Sequence, residues 1–460
     1  MEAPKQKELF GHPIGLSYLF LTEMWERFSF YGMRALLTLY MVKVLFVMPD
    51  VGERVMGYTA IKGFLEGIFG PLAVQPLSSQ IYGFYTAFVY LTPFFGGLIA
   101  DRYIGKRNAV ILGGILMTIG HFLMAVESQF FLALFFLILG NGAFKPNIST
   151  QVGELYKHGD PRRDRAFSIF YVGINVGAFF SPLVCGTLGQ SSLGYHSGFA
   201  AAGVGMIVGL VIYLLGQKHL PEEALRQARL EHKPVERQPM TTVEKRRIAA
   251  LLTICFCTIF FWAAYEQQGN TIQLWVDQYT NWKIGGWTIP SSWYQSLNPF
   301  LIFSLTPVIV GFWAWLSRRG KEPMTVVKMA IGIGLVGLAF AVMVLAALAY
   351  SPERPNSAFY LILFTLLITL GELYVSPIGL SLVTKLAPAR MVSMLMGVWF
   401  LATFIGNYAA GYIGTFFNKV PKPVFFGMVG AMAVAVAVLL VLLIKPIQSG
   451  IGGAEAAQDL

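Results

Sequence analysis

Charge is what this 460-residue sequence has least of: Asp, Glu, Lys and Arg make up 13% of it, where a water-facing domain carries roughly a quarter. With 55% hydrophobic residues and a mean hydropathy of +0.61, the chain cannot solvate a globular surface of its size. Cysteine is almost missing. Cys185, Cys255 and Cys257 all lie in apolar runs, and Cys255-Phe-Cys257 lacks the spacing and partners of a zinc or thiol redox site, so they read as packing residues. No Gly-x-Ser-x-Gly elbow and no His-Glu-x-x-His is legible, so the sequence offers no catalytic residue, no metal ligand and no reason to expect an enzyme. Residues 1–13 mix Lys5 and Lys7 with Glu2 and Glu8, and the charged stretch that follows has no small-residue cleavage site, so no secretory signal peptide is expected.

What the chain has instead is a succession of apolar runs, each close to the ~20 residues that cross a hydrocarbon core about 30 Å thick. Twelve are expected, at 14–46, 77–100, 108–126, 130–150, 166–190, 197–217, 248–270, 292–316, 325–349, 357–384, 391–417 and 423–445. The ten-residue alternation of a transmembrane β-barrel is absent. The fold class is therefore an all-α membrane protein of twelve transmembrane helices.

The net charge of +10 could suggest nucleic acid, but the basic residues sort by loop. Arg102, Lys106 and Arg107 follow span two, Lys157, Arg162, Arg163 and Arg165 follow span four, and Arg318, Arg319 and Lys321 follow span eight. The loops after spans three and five have no Lys or Arg, and those after seven and nine offer only Lys283 and Arg354. By the positive-inside rule the basic loops face the cytoplasm, which puts both termini there and the protein in the cell's inner membrane, multi-pass.

The most polar stretch, with Arg226, Arg229, Lys233, Arg237, Lys245 and Arg246 among Pro221, Pro234 and Pro239, divides six spans from six. Expected domains are a six-helix bundle at 1–217, a cytoplasmic linker at 218–247, a second six-helix bundle at 248–447 and a disordered tail at 448–460. The long connection 47–76 holds a short amphipathic helix around residues 60–69, assigned to the outer surface. Pro93, Pro182, Pro307 and Pro377 are expected to kink their spans, lone His121 to be packed, and Trp282, Trp287, Trp293 and Tyr294 to form an interfacial belt.

Several spans hold charges that each cost about 2.5–3.5 kcal/mol at a membrane helix centre. Span one carries Glu23, Glu26, Arg27 and Arg34. At helical periodicity Glu23, Arg27, Phe30 and Arg34 form one stripe flanked by Glu26 and Tyr31. Mutual ion pairing at i, i+3 and i+4 would explain the first three. It leaves Arg34 without a local acid, and Lys145, Glu266 and Glu372 add buried charge in spans four, seven and ten. Carboxyls and cations sharing one polar cavity can link proton uptake to ligand binding, and a ligand with both a carboxylate and an ammonium would suit both signs.

The motifs resemble the proton-dependent oligopeptide transporters of the major facilitator superfamily, across most of the chain. Glu23-Met-Trp-Glu26-Arg27-Phe28 is similar to that family's first-helix signature, as are Phe144-Lys145-Pro146-Asn147-Ile148-Ser149 and Phe170-Tyr171-Val172-Gly173-Ile174-Asn175 to later ones. Gly96-Gly97-Leu98-Ile99-Ala100-Asp101-Arg102 resembles the general major-facilitator cytoplasmic motif, and Tyr265-Glu266-Gln267-Gln268-Gly269, Leu297-Asn298-Pro299 and Gly371-Glu372-Leu373 add family-like positions in the second half. The resemblance implies two pseudo-repeated bundles working by alternating access, with no cofactor beyond protons as the coupling ion.

The resemblance also implies roles. Glu23, Glu26, Arg27, Lys145 and Glu266 would couple protons, while Arg34 and Lys145 would take the carboxylate of a di- or tripeptide. Glu372 would hold its ammonium, Tyr31, Tyr90, Asn175 and Asn298 would bond its backbone, and Trp399 would line a side-chain pocket. Phe30 stands where the family pattern often has tyrosine, and the linker is too short for the two extra helices many bacterial members carry. Partners are then peptides, protons and the lipid bilayer, with no nucleic acid and a monomeric chain. Nitrate, an amino acid or a drug would be the alternative cargo, although nitrate would have no use for Glu372. A membrane receptor or enzyme is the remaining alternative.

Overall fold

The computed structural model describes residues 8–157, 160–220, 240–388 and 391–451. Apolar surroundings leave backbone amides no water to bond, so each long apolar run closes its hydrogen bonds within itself as helix. A hairpin of β1 (Glu8–Leu9) and β2 (His12–Pro13) precedes α1 (Ile14–Lys43). Then come α2 (Val51–Arg54), α3 (Tyr58–Phe69), α4 (Val74–Ile99), α5 (Lys106–Leu123), α6 (Phe130–Glu154), α7 (Arg162–Gly189) and α8 (Tyr195–Gly216). After residue 240 follow α9 (Thr242–Tyr265), α10 (Thr271–Tyr279), a hairpin of β3 (Lys283–Ile284) and β4 (Trp287–Thr288), α11 (Leu297–Ser317) and α12 (Thr325–Ala349). The chain ends in α13 (Ala358–Leu386), α14 (Val392–Gly414), α15 (Lys422–Leu442) and α16 (Ile444–Ile451).

Eleven helical stretches of the described residues are long and apolar enough to cross a membrane, α9 and α10 together forming one of them. The twelfth span expected from sequence is α5, 18 residues opening on Lys106 and Arg107. Its rise of about 27 Å is slightly short of the core. It packs along α6 and α8, closely enough that a Cβ on Gly113 would stand 2.6 Å from the Gly140 carbonyl oxygen. Small residues let membrane helices approach in this way.

The chain forms two compact units, Met1–Val74 with Phe88–Pro234, and Gln75–Ala87 with Val235–Leu460. In the first, α1 packs on α7 and α8 and α5 lies against α6. In the second, α12 packs on α13 and α15, and α9 on α14. The first half of α4, Gln75–Ala87, belongs with the second unit, a placement that the sequence pattern did not carry. There Gln75 Nε2 donates to the Gly414 carbonyl at 2.9 Å, and Ser79 Oγ donates to Asn270 Oδ1 at 2.8 Å.

Of the expected linker, residues 221–239 lie outside the described residues. Its far end is already helical, because Thr241 and Glu244 form a capping box: Thr241 Oγ1 accepts the Glu244 N–H while the Glu244 carboxylate accepts the Thr241 N–H. Of the expected tail, residues 452–460 lie outside the described residues, and 448–451 complete α16. The short amphipathic helix expected around 60–69 is α3. Pro93, Pro182, Pro307 and Pro377 all stand inside helices, and the three cysteines and His121 are buried. Tyr294 departs from the expected interfacial belt, since it is buried with only 2% of its surface exposed, whereas Trp287 is 53% exposed.

Candidate functional site

In the first unit the site is built on α1, whose periodicity stacks Glu23 and Arg27 one turn apart. Arg27 Nη2 donates to Glu26 Oε1 at 2.7 Å, its Nε also bonds the Glu26 carboxylate, and Nε stands 3.3 Å from Glu23 Oε1. All three side chains are buried, Glu26 completely. The mutual pairing considered from sequence is therefore what these three residues do. From α6, Asn141 Nδ2 reaches Glu26 Oε1 at 3.5 Å. Glu23 Oε2 is buried and accepts no hydrogen bond among the described residues. Counted alone, the three residues hold two carboxylates against one guanidinium, an imbalance that a single proton cancels.

The same turn of α1 places the Phe30 ring 5.2 Å from the Arg27 guanidinium and 5.2 Å from the Tyr31 ring. Arg34 follows, 8% exposed. On α6, Lys145 is half-buried and its ammonium lies 4.7 Å from the Tyr90 ring of α4, a cation over an aromatic face. Asn175 on α7 is buried, and its Nδ2 donates to the Tyr171 carbonyl one turn back at 2.9 Å. One of its amide hydrogens is thus used within its own helix.

In the second unit the chain breaks α-helical geometry where a polar run interrupts an apolar one. α9 stops at Tyr265, a 3-10 turn covers Glu266–Gly269, and α10 resumes at Thr271. Broken helices inside membrane bundles expose backbone and side chains to bound ions and ligands. Glu266, 1% exposed, sits at this break and accepts a hydrogen bond from the Tyr82 hydroxyl at 3.3 Å. Neighbouring Tyr265 donates to Glu372 Oε2 at 2.7 Å, and Asn298 Nδ2 donates to the same oxygen at 3.1 Å. Asn298 is held in turn, 3.4 Å from the Tyr265 hydroxyl and 3.0 Å from Thr369 Oγ1. Trp399 on α14 is buried against Gly379 of α13, where any Cβ would overlap the indole.

The structure thus joins Glu23, Glu26 and Arg27 into one cluster, Lys145 with Tyr90, and Asn298 with Glu372. Sequence reasoning missed Asn141, Tyr82 and Thr369, and gave Tyr265 no role. Their signal was weak, since Asn, Tyr and Thr are ordinary in membrane helices. Tyr265 alone had a pointer, its place beside Glu266.

A family model described as POT family matches residues 107–233 and 227–432. The chain is 34% identical to a di-/tripeptide transporter of Lactococcus lactis subsp. cremoris, across 96% of this chain and 97% of that one. It is also 34% identical to the peptide transporter YePEPT of Yersinia enterocolitica subsp. palearctica, across 99% and 98%. Among solved structures it is similar to that of the peptide transporter POT in complex with sulfate, with a TM-score of 0.82 and 31% identity over 97% of this chain and 98% of the other. A POT family transporter in complex with 5-aminolevulinic acid matches with a TM-score of 0.81 and 27% identity, over 96% and 98%.

Proposed function

This chain belongs to the POT family, a family of membrane transporters rather than enzymes, and we propose that it imports di- and tripeptides together with protons by alternating access. It has the all-α major-facilitator fold; eleven helical stretches of the described residues are long and apolar enough to span, and α5 is taken as the twelfth. The observation that carries the substrate reading is Glu372, whose Oε2 is held by Tyr265 and Asn298 at 2.7 and 3.1 Å. A carboxylate fixed by two donors is oriented before a ligand arrives, and suits an ammonium. An anion such as nitrate would gain nothing from it.

Arg34 and Lys145 supply the cations for the peptide carboxylate. Tyr31, Tyr90, Asn175 and Asn298 bond the peptide backbone, common to all sequences, and Trp399 bounds a side-chain pocket. Protons, the only coupling agent required, are taken up by the Glu23, Glu26 and Arg27 cluster with Lys145, and by Glu266. A substrate carboxylate that draws Lys145 or Arg34 toward itself changes the charge balance at the acids, which links the two ligands. The basic loops support an orientation with both termini cytoplasmic, and the reading puts the protein in the cell's inner membrane. Each chain carries all these residues, and the working unit is a monomer.

The test is uptake of labelled dialanine into liposomes containing the purified protein, with and without an inward proton gradient. Unlabelled tripeptide, alanine and nitrate serve as competitors. Gradient-dependent uptake blocked by the tripeptide alone is the expected result. Uptake blocked by nitrate or alanine, or none at all from folded protein, would overturn the peptide assignment.

A further inference from the structure

The connection between α1 and α4 contributes none of the residues discussed so far, yet it is ordered and attached. The Met56 N–H donates to the Ser128 carbonyl at 3.0 Å, and Arg54 Nη1 reaches Glu127 Oε2 at 3.1 Å. The Phe46 ring lies 5.4 Å from Tyr58 and 5.8 Å from Phe130. Glu127–Gln129 is the turn between α5 and α6, so α3 is pinned where spanning helices end. Its twelve residues rise about 18 Å, too little to cross a bilayer.

The side chains of α3 divide by direction. Tyr58 and Leu65 are buried against the protein. Lys62 and Glu66, one turn apart, pair at 3.7 Å. On the opposite side of the helix Phe64 and Ile68, also one turn apart, are 64% and 58% exposed. Met56, 55% exposed, precedes them, and the exposed apolar residues Val47, Phe122 and Val126 stand on the neighbouring segments of the same end. Exposed apolar side chains thus stand at the ends of α1 and α5 and along one side of α3, while the ion pair lies on the other side of that helix. Two large side chains are a small area for a stable protein interface, whereas a bilayer requires only that one face be apolar and the other polar.

We propose that α3 is an interfacial helix whose partner is the bilayer itself, with Phe64 and Ile68 among the upper acyl chains and Lys62 and Glu66 at the level of the headgroups. The connection is then a membrane contact that holds the ends of α1 and α4 at the lipid surface.

The experiment is spin labelling of the full chain in lipid nanodiscs. Phe64→Cys and Ile68→Cys test the apolar side, and Thr59→Cys and Gly63→Cys the polar side. The native Cys185, Cys255 and Cys257 are buried, so the label goes to the new thiol. Peptide uptake by each labelled variant checks that it is folded. Collision with lipid-soluble oxygen, relative to a water-soluble nickel chelate, is expected to be severalfold higher at 64 and 68 than at 59 and 63. Equal access of nickel to all four positions would overturn the proposal in favour of a water-exposed helix. Protection of 64 and 68 from both reagents would overturn it in favour of a protein contact, and dipolar broadening between labels would identify a second copy.

Discussion

The hydroxyl of Tyr265 donates to Glu372 Oε2 at 2.7 Å, joining the last residue of α9 to the middle of α13. In the proposed function Tyr265 is a positioning residue, one that would act on the ligand through the carboxylate. Replacing it with phenylalanine removes one of two donors to that oxygen and keeps the ring. A hydrogen bond to a charged group contributes about 1.5–3 kcal/mol. Tyr265→Phe should raise the KM for dialanine roughly tenfold, equivalent to about 1.4 kcal/mol. Inhibition by an N-acetylated peptide, which has no ammonium, should change little. Equal losses for both ligands would show a general structural role.

Glu266→Gln keeps an acceptor for the Tyr82 hydroxyl and removes the group that can exchange a proton. Gradient-driven uptake should be lost, while counterflow exchange of peptide across the liposome membrane survives. Proton-driven uptake at the unsubstituted rate would end the coupling assignment of Glu266.

Arg34→Ala should weaken driven uptake and counterflow together, because the carboxylate of the peptide is bound in both. Arg34→Lys should recover part of the loss, since it restores charge without the planar fork of donors. Loss of driven uptake alone would move Arg34 from peptide binding to coupling.

Gly411 of α14 faces Gly83 of α4 within the second unit, and a Cβ added at Gly411 would meet the Gly83 Cα and the Ser79 carbonyl oxygen at 2.7 Å each. Backbone cannot yield as a side-chain end can. Gly411→Leu should destabilise the protein by about 1–3 kcal/mol through overpacking, read as a lower midpoint of thermal unfolding in detergent. An unchanged midpoint would mean that α4 and α14 separate at little cost.

The β1 and β2 hairpin is docked by Arg162, whose Nη1 donates to Glu8 Oε1 at 2.8 Å and to the Gly11 carbonyl at 3.1 Å, and whose Nη2 donates to Asp160 Oδ2 at 2.9 Å. These hydrogen bonds from Arg162 hold the Asp160 carboxyl below its ordinary value of 3.8. The ionised Asp160 fixes the guanidinium that reaches the hairpin; a depressed carboxyl contributes this stabilisation above its ordinary pKa, and the contribution is lost as pH falls through the lower, paired value. Amide hydrogen exchange at residues 8–12 should stay slow from neutral pH down to the ordinary carboxylate range, once corrected for intrinsic rates, and accelerate only below it. Release above that range would assign the docking to another group.

The residues themselves determined a great deal about this protein. Runs of some twenty apolar residues dictate spanning helices, because an unbonded amide in lipid costs several kcal/mol. A charge inside such a run stands out, because its cost must be offset by a partner charge, a polar cavity or a ligand. That is why Glu23, Arg27, Lys145, Glu266 and Glu372 were legible from sequence, along with α3 as a short amphipathic helix.

Only the tertiary structure decided which neutral residues attend those charges. Asn141 reaches Glu26 from more than a hundred positions away, and Tyr82 reaches Glu266 from nearly two hundred. Neither leaves a periodic trace, since a hydroxyl or amide is cheap enough in a membrane helix to occur without a function. The placement of Gln75–Ala87 in the second unit was equally invisible, for it rests on hydrogen bonds and glycine contacts between distant helices. Hydropathy records which residues avoid water, whereas their partners are chosen by packing.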